Sequence, residues 1–434
     1  MDSTKLATLT AAVIGAVLLS GSASATDALP ANQLAAVSPS VGTLVSTPLT
    51  VATGASAGSA QGKSLKIPQG WTAEVWANVP GARMAVWAPD GTLLVSTGDG
   101  GTVKRLTPTT AGHAPTVKTL TTSSIGIQGL AFTANGKVLV LGENTRIVRF
   151  NYLNGKLTNG KVLVDHLPTG GHSAKGVAVY GDTVYYSLGS SGNRVPADRT
   201  ASPKRATIRK VSLTGSGNTV IATGVRNGFG LAIAPDHTLF TAVNQMDNQP
   251  YPFKDGTGQY GKTYSTYINE NPVDQVTRVG KGLELGWPYC VPDARNSPSL
   301  LTVPYVNDPQ FNPTGAKRNC AKLPSIMLGL PGHSAPLGLS FTAGTALESV
   351  IGSGAMITTH GSWDRTPPRA PVVLFSPWNS TTKRLGATVP LVGGFQNSDG
   401  SRWGRCVDAV VGPDGSLYVT DDTAGLVYRI TPGP

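Results

Sequence analysis

The sequence predicts an all-β protein, a six-bladed β-propeller that follows a signal peptide and a flexible leader. From residue 67 onward, short runs rich in Val, Leu, Tyr and Thr alternate with Gly, Asp, Asn and Pro. Such runs are typical of strands separated by turns, and no segment keeps a helical period. A single turn motif also recurs along the chain at nearly constant spacing. Together these observations predict repeated small antiparallel sheets.

The recurring motif is a tight turn between two strand-like runs, as in Ala-Pro-Asp90-Gly-Thr-Leu-Leu-Val. Its copies are centred on Asp90, Asn135, Asp182, Asp236 and Asp414. Asp, Asn and Gly accept the left-handed backbone that such turns require. The first four copies lie 45, 47 and 54 residues apart. This period is the length of one four-stranded propeller blade.

The interval before the last copy has room for two blades and a long insertion, and a degenerate copy begins there at Gly352. We therefore expect about six blades. Because a propeller closes on itself, a strand near residues 72–79 is expected to complete the last blade. Two stacked β-sandwiches are the alternative, but sandwiches lack this period.

The first 25 residues have the layout of a secretory signal peptide. Lys5 is followed by an apolar run over residues 9–19 and by small residues at Ala23 and Ala25. The run is shorter than the roughly 20 residues that span a bilayer, so we expect cleavage near Ala25 and no stable membrane span. A retained anchor is the alternative. The predicted location is secreted or periplasmic.

Residues 26–62 are rich in Ala, Ser, Thr and Gly and contain no aromatic residue. This composition predicts a flexible leader. The propeller domain is accordingly expected to occupy residues 63–434.

The net charge of +11 raises the question of a nucleic-acid partner. Lys and Arg are scattered singly, without a dense basic run or a basic helix. We therefore predict no nucleic-acid binding, and interpret the charge as a solvated basic surface that also favours an anionic cofactor.

The chain has three cysteines. Cys290 and Cys320 flank a segment rich in Pro and Asn, and export permits a disulfide. We predict that they are bonded, which is worth about 3 kcal/mol in the chain-entropy model. Cys406 lies in an apolar strand pattern and is predicted to be a buried thiol.

Three histidines stand in similar polar loops next to apolar strands. They are His172 after two glycines, His333 in Gly-His-Ser-Ala-Pro and His360 in Thr-His-Gly-Ser-Trp. Propellers collect functional groups at the mouth of the central channel, on loops that join blades. A lone loop histidine is usually only a hydrogen-bonding group, but three such loops predict a shared pocket.

Arginines form a second candidate set upstream of predicted strands. They are Arg226, which precedes Asn227, and Arg365, Arg402 and Arg405. Arginine is suited to planar recognition of carboxylates, so several of them at one mouth predict an anionic ligand. Exposed, solubilising arginines are the alternative.

At this point the sequence resembles a known family, the soluble pyrroloquinoline quinone (PQQ)-dependent glucose and sorbosone dehydrogenases. The resemblance covers residues 67–431. It rests on segments in the right order and at blade spacing: Ile125-Gly-Ile-Gln128, the His172 loop, Gly224-Val-Arg226-Asn227, Asn244-Gln-Met-Asp247, Gly286-Trp-Pro-Tyr-Cys290, His333-Ser-Ala-Pro, His360-Gly-Ser-Trp, Arg402-Trp-Gly-Arg405 and Asp421-Asp422-Thr-Ala-Gly. The latter half is closer to the sorbosone type.

The resemblance implies an enzyme that oxidises a sugar or a sugar-derived aldehyde by hydride transfer to PQQ, with calcium beside the quinone and an external electron acceptor. By this resemblance His172 is the base that takes the proton of the anomeric hydroxyl. An imidazole with a pKa near 6.5 suits that role, and calcium prefers oxygen ligands. The resemblance also implies a set of binding residues. Those for substrate or quinone are Gln128, Arg226, Asn227, His333, His360, Arg365, Arg402, Arg405 and Asp422, and those for calcium are Gln245, Met246 and Asp247.

The chain departs from the glucose-type pattern at two acidic positions. Gly171 stands where an aspartate precedes the catalytic histidine, and Ser190 stands at another expected acidic position. The family's cofactor lysine is also absent from its expected place, with Arg365 or His360 as substitutes. Two other functions remain as alternatives: a non-catalytic propeller that binds carbohydrate or protein, and a calcium-dependent propeller lactonase. His172 together with several arginines favours the redox enzyme.

Overall fold

A computed structural model describes residues 41–433 and has six antiparallel blades arranged in a ring. The first strand of each blade is the innermost, and these inner strands contact one another in sequence and back to the first. The predicted six-bladed propeller is thus confirmed.

Blades 1 to 3 follow one another along the chain. Blade 1 contains β5 (Ala85–Trp87), β6 (Leu93–Ser96), β7 (Thr102–Thr107) and β8 (Thr116–Thr122). Blade 2 contains β9 (Ile127–Phe132), β10 (Val138–Glu143), β11 (Ile147–Leu153) and β12 (Lys156–Val164). Blade 3 contains β13 (Val177–Tyr180), β14 (Thr183–Leu188), β15 (Thr207–Ser212) and β16 (Thr219–Thr223), with the short β20 (Leu283–Glu284) at its edge.

Blades 4 to 6 carry the insertions. Blade 4 contains β17 (Asn227–Ile233), β18 (Leu239–Asn244), β19 (Asp274–Val279) and β24 (Ile326–Leu330), with β22 (Leu301–Val303) outermost. Blade 5 contains β25 (Pro336–Phe341), β26 (Gly354–Thr359) and β27 (Val372–Asn379), which pairs with both β28 (Arg384–Leu385) and β29 (Val389–Val392). Blade 6 contains β30 (Cys406–Val411), β31 (Leu417–Asp421), β32 (Leu426–Thr431), β4 (Thr72–Asn78) and β2 (Thr50–Val51).

The remaining elements lie outside the blades. Two strand pairs are β1 (Leu44–Pro48) with β3 (Ser64–Pro68), and β21 (Cys290–Pro292) with β23 (Tyr305–Asn307). The α-helices among residues 41–433 are α1 (Ser265–Ile268) and α2 (Glu348–Ile351), and the 3₁₀ turns are Gly58–Ala60, Pro196–Arg199 and Cys320–Lys322. In this part of the chain no helix has the length and apolar character to cross a bilayer.

The ring is closed by strands from opposite ends of the described chain. β4 pairs antiparallel with β32, from Leu426 opposite Asn78 to Thr431 opposite Thr72. The strand predicted near residues 72–79 therefore does complete the last blade.

The recurring turns lie between the first and second strands of their blades. In three of them an aspartate carboxylate accepts the backbone N–H two residues further on, and in a fourth the side-chain oxygen of Asn135 does so. Asp90 accepts from Thr92 at 3.3 Å, and Asp236 accepts from Thr238 at 3.2 Å. This local hydrogen bond fixes the turn and explains why the motif recurs at blade spacing.

The structure differs from the predicted leader over residues 41–62. This segment forms β1, which pairs with β3, and β2, which extends blade 6. Ala52, Ala57 and Ala60 are buried there. Small side chains gave no apolar pattern in the sequence, although they pack well against a neighbouring sheet. The signal peptide and the first part of the leader lie outside the described residues and remain predictions.

The cysteine predictions are confirmed. Cys290 and Cys320 form a disulfide with Cα atoms 5.6 Å apart. The bond ties together the insertion between β19 and β24. Cys406 is a free, buried thiol on β30.

The central channel contains a cavity of about 210 Å³ lined by the inner strands, and Asp408 is a charged group on its wall. Asp408 is buried and accepts the N–H groups of Ala85 and Ala409, both at 3.0 Å. Burial raises the pKa of this carboxyl to about 7, because these hydrogen bonds only partly offset the loss of water.

We expect the stability contributed by Asp408 to fall as pH rises. Its carboxyl binds a proton more tightly in the folded protein than at its ordinary value of 3.8, so this contribution is present below about pH 4 and is lost as pH rises through about 7. Asp408→Asn cannot titrate. Urea unfolding of both proteins across this range should show the wild type losing stability relative to the variant. A stability difference that does not vary with pH would show that Asp408 does not titrate in this window.

Candidate active site

The candidate residues lie on one face of the propeller, opposite the recurring turns. In an antiparallel blade the start of the inner strand and the end of the second strand lie at the same edge. Residues near the starts of inner strands are Arg83, Gln128, His172, Arg226, Asn227, His333 and Arg405. Residues at or just after the ends of second strands are Asp99, Asn144, Ser190, Asp247, His360 and Asp422. We call this face the mouth.

A pocket of about 250 Å³ at the mouth brings together three of the predicted residues. Gln128, His172 and Asn227 line it, and they come from the inner ends of blades 2, 3 and 4. Arg83 and Asp99 of blade 1 complete the polar wall. Strands distant in the sequence thus place an imidazole, two amides, a guanidinium and a carboxylate around one space.

The imidazole of His172 is held in a defined orientation. Its Nδ1 lies 2.8 Å from the hydroxyl oxygen of Ser190, and this hydroxyl donates to the Gly192 carbonyl at 2.8 Å. Because the single hydroxyl proton is used by Gly192, we assign Nδ1 as the donor to Ser190. Nε2 then carries a lone pair and can accept a proton.

Burial lowers the pKa of His172 to about 4, and the positive charge of Arg226 acts in the same direction. The imidazole is therefore neutral at pH 7, which is the form that a general base requires.

The two departures at Gly171 and Ser190 have a common structural reason. Gly171 has φ +56°, and a Cβ there would lie 2.4 Å from the backbone carbonyl of Ser191. The loops before β13 and after β14 are packed backbone to backbone, which leaves no space for an aspartate at position 171. Ser190 provides the hydrogen bond that orients the imidazole instead.

Arg205 holds these two loops together and was not identified from the sequence. Its guanidinium donates to four carbonyl oxygens at 2.7–3.1 Å, those of Thr169, Gly170, Gly189 and Ser190. It stands in a loop rich in Ser, Pro and basic residues, where a single arginine gives no signal in the sequence.

The side chain of Gln128 is fixed at one end only. Its Nε2 donates to Asp99 at 3.0 Å and to Asn144 at 3.3 Å. Its Oε1 is buried and has no hydrogen-bond partner within residues 41–433. An unpartnered buried acceptor in a pocket wall is suited to a hydroxyl group of a ligand.

Asp247 lies at the centre of an ionic cluster beside this pocket. Its carboxylate is 3.5 Å from Arg226 and 3.5 Å from Nδ1 of His333. Burial opposes ionisation of Asp247, but His333 and Arg226 outweigh it and lower the pKa of the carboxyl. Arg226 is itself held by Asn193, which accepts two of its N–H groups at 3.1 Å.

His333 is also fixed by the backbone. Its Nε2 lies 2.6 Å from the carbonyl oxygen of Ile268, so Nε2 carries a proton. Burial disfavours the charged imidazolium, but Asp247 and this carbonyl outweigh it and raise the pKa of His333.

Asp364 joins Asp247 and His333 in a group that could bind a cation. One donor atom from each lies within 4.8 Å of the others. Asp364 accepts the N–H of Asn248 at 2.5 Å and was missed in the sequence, where it follows an aromatic residue in a loop.

The other residues predicted for calcium are arranged differently from Asp247. Gln245 is buried, with its N–H donated to Asp274 and its Oε1 without a partner in the described chain. The side chain of Met246 is buried against Trp287. Only backbone carbonyl or amide oxygens of these two residues are chemically suited to calcium.

A second ionic group connects blades 1, 5 and 6 at the mouth. Asp422 accepts from Arg83 at 2.8 Å and from Nε2 of His360 at 2.9 Å. Burial lowers the pKa of His360 despite the neighbouring carboxylate. The two carboxylate oxygens of Asp422 thus hold the guanidinium of Arg83 and the imidazole of His360 in place.

Arg402 and Arg405 donate several of their guanidinium N–H groups to carbonyl oxygens of the loop after β26. Arg405 donates to the His360 carbonyl at 2.9 Å, and Arg402 donates to the Ser362 carbonyl at 2.7 Å. Arg365 is directed elsewhere, because its guanidinium pairs with Glu270 at 2.6 Å. The structure therefore brings Arg405 and His360 to the mouth but not the guanidinium of Arg365.

Known proteins share both sequence and fold with this chain. The chain is 25% identical over 316 residues to the pyrroloquinoline quinone-dependent pyranose dehydrogenase of Coprinopsis cinerea, and the match covers 63% of this chain and 41% of that protein. The chain thus spans about two fifths of the length of this curated relative.

Solved structures share the fold. The PQQ domain of the Coprinopsis cinerea enzyme superposes with a TM-score of 0.73 at 22% identity, covering 88% of this chain and all of that domain. A calcium structure of a family AA12 enzyme from Trichoderma reesei gives 0.70 at 18% identity, covering 85% and 96% of the two chains. A PQQ-bound aldose sugar dehydrogenase from Streptomyces coelicolor gives 0.52 at 17% identity, covering 84% and 99%.

The resemblance noted in the sequence is therefore confirmed at the level of the fold. The TrAA12-like family matches residues 65–433, which is nearly all of the propeller, and the chain belongs to this family.

Proposed function

We propose that the protein is a PQQ-dependent dehydrogenase that oxidises a sugar in the pocket around His172. The observation that carries this proposal is the state of the imidazole. It is neutral, it is oriented by Ser190, and its Nε2 is the nitrogen left to accept a proton. Family membership and the shared fold support the same activity.

In this proposal His172 takes the proton of the hydroxyl group on the carbon that is oxidised. The unpartnered Oε1 of Gln128 accepts a hydrogen bond from a neighbouring hydroxyl, and Asn227 provides an amide on the other side. When bound, the quinone supplies the hydride acceptor. Buried polar groups that find no hydrogen-bond partner cost free energy, so the polar wall of this pocket favours a substrate with several hydroxyl groups over an apolar one.

The charges at the mouth fit the carboxylates of the quinone. Arg405, Arg83 and His360 are the cationic or donor groups there, and Asp422 orients the last two. Arg405 uses Nε and Nη2 for backbone carbonyls, and its Nη1 makes no hydrogen bond within the described part of the chain. We propose that Arg83, whose Nε is buried without a partner in residues 41–433, binds a carboxylate, a charge-assisted contact that Arg geometry suits, and that Arg405 contributes positive charge nearby.

The acidic cluster fits a calcium ion in part. The carboxylates of Asp247 and Asp364 are hard oxygen ligands, and Gln245 offers an amide oxygen without a partner in residues 41–433. His333 contributes a nitrogen, which is less suited to calcium. We therefore propose that Asp247 and Asp364 are the principal ligands and that His333 fixes Asp247.

The substrate is proposed to be an aldose or a sugar-derived aldehyde. An aldehyde would react as its hydrate, because the base needs an O–H proton to remove while hydride leaves the same carbon. The electrons would then pass to an external acceptor.

The test is reconstitution of the purified protein with PQQ and calcium. We expect calcium-dependent binding of PQQ by calorimetry, and reduction of an electron-accepting dye when a panel of pyranoses and aldehydes is added. Protein treated with EDTA is the matched control. If the protein binds no PQQ at micromolar concentration with calcium present, the cofactor assignment fails. If it binds PQQ but reduces dye with none of the panel, the sugar assignment fails.

A further inference from the structure

Trp363 is exposed at the mouth in a way that packing does not explain. Its side chain is 80% exposed, the highest fraction among the large exposed apolar side chains of residues 41–433. Tryptophan offers a large amphipathic surface and is enriched at binding sites, so an exposed indole beside a polar pocket is a candidate ligand contact. It follows β26 in blade 5, at the same edge as His360.

Both chain neighbours of Trp363 are held by hydrogen bonds. The carbonyl of Ser362 accepts from Arg402 at 2.7 Å, and the N–H of Ser362 donates to Arg369 at 3.2 Å. On the other side, Asp364 accepts the N–H of Asn248. The segment that carries the exposed indole is therefore anchored on both sides of Trp363.

One face of the indole is already occupied. The guanidinium carbon of Arg405 lies 4.9 Å from the ring centroid, in cation–π geometry. Arg405 is nearly buried and is held by the carbonyls of His360 and Gly361. The stack of Arg405 and Trp363 thus presents one free aromatic face to the solvent at the mouth.

Trp363 is linked to both charged groups of the mouth. Behind the indole, Arg405 donates to the carbonyl of His360, whose imidazole joins Asp422 and then Arg83. The residue that follows Trp363 is Asp364, a member of the acidic cluster with Asp247. A flat ligand with carboxylates at one end and metal-binding oxygens at the other would find a partner for each part.

We infer that Trp363, backed by Arg405, is the stacking surface for the flat face of the quinone. This inference rests on the proposed function. An indole has few rotatable bonds, so stacking on it costs little conformational entropy. Aromatic side chains stack in the same way on any nucleic-acid base, because the contact needs only a flat π-face. The electron-rich indole is also a suitable partner for an electron-poor quinone ring.

The experiment titrates PQQ, with calcium present, into the wild type, Trp363→Ala and Trp363→Phe. Affinity is measured by calorimetry and the environment of the indole by tryptophan fluorescence. We expect Trp363→Ala to weaken PQQ binding about 10–100-fold, with Phe intermediate. The fluorescence quenched by PQQ in the wild type should be largely lost in both variants. Trp87→Phe is the control. Trp87 is the last residue of β5 and lies next to the recurring turn at Asp90, on the face of the propeller opposite the mouth, so this variant should keep both the affinity for PQQ and the quenching.

The outcomes separate the inference from the proposed function. If the wild type binds no PQQ, the proposed function fails. If the wild type binds PQQ and Trp363→Ala binds it equally well, only the stacking inference is overturned. A variant that binds PQQ normally but has a raised KM for sugar would also overturn it, and would assign the indole to the substrate. Circular dichroism should show all variants folded, since the side chain of Trp363 is mostly in solvent.

Discussion

Replacing His172 by alanine is expected to lower turnover by about 10²–10⁴, the usual contribution of a positioned general base. Binding of PQQ should change little, because the proposed partners of the anionic quinone are Arg83 and His360, whereas His172 is a neutral imidazole held by Ser190. Steady-state kinetics and calorimetry on the same samples would measure the two effects.

His172→Asn is the matched control for packing. Its amide can still donate to Ser190 in the manner of Nδ1, but it has no basic nitrogen in the place of Nε2. We expect Asn and Ala to lose turnover to a similar extent. If His172→Ala keeps full turnover while PQQ is bound, the base is another residue.

The pH profile gives a second signature of the same residue. Because burial lowers the pKa of His172 to about 4, the base is neutral over most of the acidic range and becomes protonated only near that pH. The acid limb of kcat/KM should therefore lie well below 6.5. An acid limb near 6.5 would show that the imidazole is solvated in the working enzyme.

The second large effect is expected at Gly171. Substituting aspartate would place a side chain against the backbone of Ser191, in a residue whose φ of +56° already disfavours any Cβ. Strain at positive φ and overpacking each cost about 1–3 kcal/mol, so we expect Gly171→Asp to lose about 2–6 kcal/mol of unfolding free energy. Urea denaturation would measure it.

Gly170 offers a matched control in the same loop. It has φ +77°, and a Cβ there would meet nothing within 4 Å. Gly170→Ala and Gly171→Ala therefore share the backbone strain, but only the second overlaps its neighbours. Equal stabilities for these two alanine variants would show that the loop moves aside, and that an aspartate before His172 is structurally allowed.

Features that depend on residues close together in the chain, such as the recurring turns, are predictable from the sequence. The turn at Asp90 forms through a hydrogen bond two residues away, so the same pattern recurs wherever a blade makes that turn. The loop pattern predicts a shared pocket for His172, His333 and His360, and of these only His172 lines the pocket at the mouth. Gln128 and Asn227, which the family resemblance implies, line it with His172, because each stands next to an inner strand and a closed ring brings inner strands together.

What the sequence did not reveal depends on partners far away in the chain. Arg205 and Asp364 carry no local signature, and their roles follow from which carbonyls or carboxylates the fold places beside them. Arg365 and Arg402 belong to the same class, because a guanidinium that looks available in the sequence can be used by neighbouring backbone. The composition of residues 41–62 predicts a leader because burial of alanine leaves no periodic signal in the sequence.

Closure of blade 6 by β4 and β32 sets the order in which this protein can mature. Synthesis delivers β4 early, but its antiparallel partner does not exist until residues 426–431 have been made. Throughout elongation β4 has an unpaired edge, and Arg83 lacks Asp422. The ring therefore cannot close until translation is nearly complete, and a chain that stops short of its final strand lacks the pairing that joins blade 6 to β4.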